Sequence, residues 1–82
     1  MTTLDRLVRM ANQIATNLAS QSDDAARAVA DHLALFWDPR MKAMIFAHLD
    51  AGGAGLSPVA RDAVAQLRAL SAEVQAGPAD AG

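Results

Sequence analysis

The stretch Asp31-His32-Leu33-Ala34-Leu35-Phe36-Trp37-Asp38-Pro39-Arg40-Met41 decides the fold. It joins a helical apolar spacing, the chain's only tryptophan and an enforced backbone break. A residue before proline is pushed out of the α region, so a helix arriving through Leu33 must stop near Trp37. Aspartate caps a helix start well, and proline at the first helical position gives up an N–H that would have had no partner. A new helix therefore begins at Pro39. The junction is too tight for a simple up-down hairpin, so the two helices are expected to meet at an angle with Trp37 at the elbow.

Working back from the elbow, Ala26, Val29, Ala30, Leu33, Phe36 and Trp37 recur at helical spacing and form the expected core arc of a helix over 23–37, with Leu35 outside it. Ser22 followed by Asp23 and Asp24 is its start signal, a capping hydroxyl and then two carboxylates beside the positive end of the dipole. Before that, Leu4, Leu7, Val8, Ala11, Ile14, Ala15 and Leu18 follow the i, i+3, i+4, i+7 pattern of a helix over 3–21. That apolar face covers an arc of roughly 120 to 140°. Thr2 or Thr3 is the expected cap, with Asp5 in the first turn.

Forward of the elbow, Met41, Met44, Ile45, His48 and Leu49 share a face of a helix over 39–51, and Phe46 projects well to its side. The combined apolar arc of roughly 200° is wider than one contact in a small bundle uses, which is an expectation of a protein partner. Gly52-Gly53-Ala54-Gly55 ends that helix, and Ser57-Pro58 opens a fourth over 58–75 with Val59, Ala63, Leu67, Leu70 and Val74 on one face. Residues 76–82, Ala-Gly-Pro-Ala-Asp-Ala-Gly, have little to bury and are expected to be a flexible tail. The expected architecture is all-α: one compact domain over 1–75 of about four short helices with an Asp-Pro elbow between the second and third.

At 82 residues the chain has room for one domain. A chain of this size buries only about 60 to 65% of its unfolded surface, so the core is marginal. Hydrophobic residues make up 52% but aromatics only 4%, much of the remainder being alanine, which fills little volume. With no cysteine and two histidines there is no disulfide framework or thiolate site and little for a metal clip. That composition suits the cytosol. Neither a signal-peptide h-region nor a run of 18 apolar residues occurs, so no membrane association is expected. Net charge is −2 and the seven basic residues are scattered, which argues against nucleic acid as the main partner.

No catalytic constellation emerges. Adjacent helix positions point about 100° apart, so Asp31 and His32 do not form an oriented pair, and His32 reads as a surface residue. His48, within an apolar face, reads as a hydrogen-bonded core or interface residue rather than a ligand. The glycine run lacks the preceding strand and full spacing of a phosphate loop. Ser57 is a cap without a base to activate it. Met10, Met41 and Met44 read first as packing and second as adaptable partner contact. Arg40 and Lys42 beside Trp37 are equally consistent with an anion contact and a solvated helix start.

Leu7-Val8-Arg9-Met10-Ala11-Asn12-Gln13-Ile14, Asp31-His32-Leu33, Phe36-Trp37-Asp38-Pro39-Arg40-Met41 and Gly52-Gly53-Ala54-Gly55-Leu56 occur in an order and at spacings that resemble the delta subunit of cytoplasmic, molybdenum-containing, NAD-dependent formate dehydrogenases. The resemblance covers roughly Leu4 to Leu70. It implies a non-catalytic accessory subunit that docks on and stabilises the large catalytic subunit for formate oxidation to CO2. Within the assembly it implies, other subunits carry a molybdenum or tungsten pterin, iron-sulfur clusters, FMN and the NAD site, and this chain binds none of them. Leu35, Trp37, Pro39, Arg40, Met41 and Phe46 are the residues expected at the partner surface. The alternatives are a self-associating helical scaffold, which would bury Phe46 and Leu35 equally well, and a small DNA-binding regulator, which would need a basic recognition helix that the sequence lacks.

Overall fold

A computed structural model of the chain describes the backbone of residues 1–81 and the side chains of residues 1–72. Four helices account for it: α1 (Thr3–Ala19), α2 (Ala25–Phe36), α3 (Pro39–Asp50) and α4 (Pro58–Ala81), with no strand among the described residues. The expected tail over 76–82 falls where side chains lie outside the described residues, as does all of Gly82.

Each helix start follows from its capping chemistry. At α1, Thr2 and Asp5 form a reciprocal capping box: the Asp5 N–H donates to Thr2 Oγ1 and the Thr2 N–H to Asp5 Oδ2, both at 3.1 Å. For α2 the cap is Asp24 and not Ser22, because the Asp24 carboxylate accepts from the Arg27 N–H at 3.1 Å. That bond delays the start from the expected residue 23 to Ala25. Asp38 caps α3 through the Met41 N–H at 2.9 Å, with Pro39 as the first helical residue, as the Asp-Pro pair predicts. The Ser57 hydroxyl accepts from the Ala60 N–H at the start of α4. At its far end α1 stops two residues short of the expected Gln21, with Ser20 as its C-cap.

The elbow forms as expected. Trp37 is the C-cap of α2, its backbone extended at φ −90° and ψ 135°, and this turns the chain so that the indole falls inward, 4% exposed. Although consecutive, α2 and α3 barely touch; each packs on α1 and α4, and the α2–α4 contact is the most extensive. The core runs through Leu7, Ala11, Val29, Leu33, Trp37, Ile45, Ala60, Val64 and Leu67. Alanines at the helix crossings let the axes approach closely, which is how a chain so poor in aromatics closes a core.

Two expectations about apolar faces are corrected. Phe36, assigned to the core arc of α2, is exposed: it is the last helical residue and sits at the edge of the stripe, where no described element reaches over it. The wide arc of α3 is used within this chain's own fold. Ile45 is fully buried, and Met41, Met44, Phe46 and Leu49 pack half-buried against the core, since α3 lies against α1 and against α4. The excess width therefore needs no outside partner to explain it.

Candidate docking surface

The glycine loop between α3 and α4 ties three helices together. Gly53 N–H donates to His48 O at 2.8 Å and Gly52 N–H to Leu49 O at 3.0 Å, the paired bonds of a Schellman end, with Gly52 at φ +119° where an L side chain would be strained. Three successive loop carbonyls are then held by side chains from three helices. Arg61 on α4 donates to Gly53 O at 3.2 Å, His48 on α3 lies 2.7 Å from Ala54 O, and Asn12 on α1 donates to Gly55 O at 2.8 Å. The Asn12 amide also accepts from the Ser57 N–H at 2.8 Å. Because Ala54 O can only accept, the facing nitrogen of His48 carries a proton; the histidine is a structural donor, as its place on an apolar face predicts. The loop binds its own protein and does not cradle a phosphate.

Between α3 and α4 runs a groove of about 350 Å³, floored by Phe46, Ala43 and Ala47 and closed at one end by an ion pair between Asp50 and Arg68. Arg68 also reaches Phe46 O at 3.4 Å. The Arg68 guanidinium holds the Asp50 carboxyl below its ordinary pKa, and Asp50 in turn raises that of Arg68. Near the amino terminus, the Thr2 backbone N–H and then its hydroxyl depress the Asp5 carboxyl in the same sense.

At the end of α2 the surface is different. Leu35 is 79% exposed and Phe36 70%, and with Met1 they are the most exposed large apolar side chains among the described residues. His32, one turn back, lies against the Phe36 ring with centroids 4.6 Å apart and planes tilted by 39°, which helps to hold the ring's orientation. Lys42 spans the elbow and donates to Ala34 O at 3.0 Å, so it is engaged in the fold rather than left for an anion.

The residues expected at a partner surface divide. Leu35, Pro39 and Arg40 are exposed, and Met41 and Phe46 are half-buried against the core. Trp37 is core and not surface in this chain's own fold, for the reason given at the elbow. Pro39 and Phe46 line one shallow pocket together with Lys42, Ala43 and Ser71. Phe36 is the surface residue that sequence reasoning missed; its position at the rim of the α2 stripe, on the final helical turn, was the available signal.

This is a small all-helical module with an exposed apolar helix end. Among its described residues no group of three or more His, Cys, Asp or Glu side chains stands where it could hold a metal ion. No helix among them is long and apolar enough to cross a membrane. The family model described as NADH-dependant formate dehydrogenase delta subunit, FdsD, matches residues 6–64, and the chain belongs to that family. It is accordingly a subunit of a formate dehydrogenase complex, with other subunits as its partners. No curated protein and no solved structure matches it.

Proposed function

We propose that this chain is a non-catalytic accessory subunit that docks on the large catalytic subunit of an NAD-dependent formate dehydrogenase in the cytoplasm and stabilises it around its pterin cofactor. The observation that carries the reading is the family match over residues 6–64. Two physical features support it: a marginal alanine-rich core, and an apolar pair left in solvent at the end of α2. The molybdenum or tungsten pterin, iron-sulfur clusters, FMN and NAD belong, in this reading, to the other subunits. Among the described residues no group of three or more His, Cys, Asp or Glu side chains stands where it could hold a metal ion. Its contribution is to packing and assembly, so that formate oxidation proceeds on a correctly loaded neighbour.

The test is to delete the coding sequence for this chain and purify the remaining complex. Molybdenum or tungsten content and formate-dependent NAD reduction should both fall, while activity per metal-loaded complex stays near the parent's. Full metal content and full activity in the deletion strain would remove the reading. Full metal content with lost activity would point to a role in the reaction itself.

A further inference from the structure

We draw no further inference here: the strongest candidate, the exposed apolar patch of Leu35 and Phe36 at the C-terminal end of α2, is an unpartnered face, and nothing in the structure shows what covers it.

Discussion

Asn12 offers the sharpest test of what holds the molecule together. Its amide makes two bonds of 2.8 Å across 43 and 45 residues of sequence, donating to Gly55 O and accepting from the half-buried Ser57 N–H. The orientation is forced, since a carbonyl can only accept and an amide N–H can only donate. Asn12→Ala removes both bonds, at about 0.5 to 1.5 kcal/mol each, and leaves the Ser57 N–H without its partner; the expected loss is about 2 to 4 kcal/mol. A domain of this length has on the order of 4 to 12 kcal/mol of stability in all. The variant should therefore melt roughly 10 to 25 °C lower than the parent. Far-UV dichroism through a thermal and a urea transition measures this directly, the midpoint moving without a change of slope. Asn12→Asp separates the two bonds: it keeps an acceptor for Ser57 but sets a carboxylate against Gly55 O, so it should be no better than alanine at neutral pH. It should recover as the carboxyl is protonated and gains a donor. Asn12→Ala within about 0.5 kcal/mol of the parent would refute the account of the loop as a three-helix tie.

Trp37→Ala empties the elbow and should cost about 3 to 5 kcal/mol, leaving the free chain unfolded or nearly so; a parental melt would place the indole outside the core. Gly55→Ala should cost about 1 to 2 kcal/mol, because the backbone there is at φ +86° and the new Cβ meets Val8 Cγ1 at 3.3 Å; trimming Val8 to alanine as well should recover only the steric part. The Asp5 and Asp50 carboxyls are both depressed in the folded chain, so what they contribute is present above the ordinary carboxylate range and is lost as pH falls through their folded values. Melting temperature should accordingly decline below about pH 4, and Asp50→Asn should flatten part of that decline; an unaltered decline would exclude the Arg68 pair as a source.

The helical skeleton was legible because its signals are local. Asp38-Pro39, Thr2 with Asp5, and Ser57-Pro58 each satisfy backbone groups within a few residues, and the structure uses all three. Ser22 was expected to cap α2, but it is the Asp24 carboxylate that reaches an N–H there. Harder to read was whatever depends on a second helix. Periodicity places Phe46 to one side of the α3 face, but only the approach of α4 decides that this side is covered. Phe36 fails in the opposite direction, since an arc drawn at 100° per residue takes no account of where the covering helices end. Asn12 gave no signal that sequence could supply, its partners being a loop more than 40 residues away.

Most pieces of sequence that carry the family resemblance turn out to be joints of the fold. Asn12 lies in the first, Trp37, Asp38 and Pro39 in the elbow piece, and Gly53, Ala54 and Gly55 in the last, where their carbonyls are tied by Arg61, His48 and Asn12. A family signature made of joints reports the shape of the subunit rather than the face it offers. That is why belonging to the family, by itself, locates no docking surface. The surface has to be sought among residues the fold leaves unused. By that criterion Trp37 belongs to the interior, Met41 is half-buried against the core, Phe46 lines the surface groove between α3 and α4, and Leu35 with Phe36 is apolar, adjacent and exposed. An apolar pair kept in water at a helix end weakens solubility and adds nothing to the isolated fold.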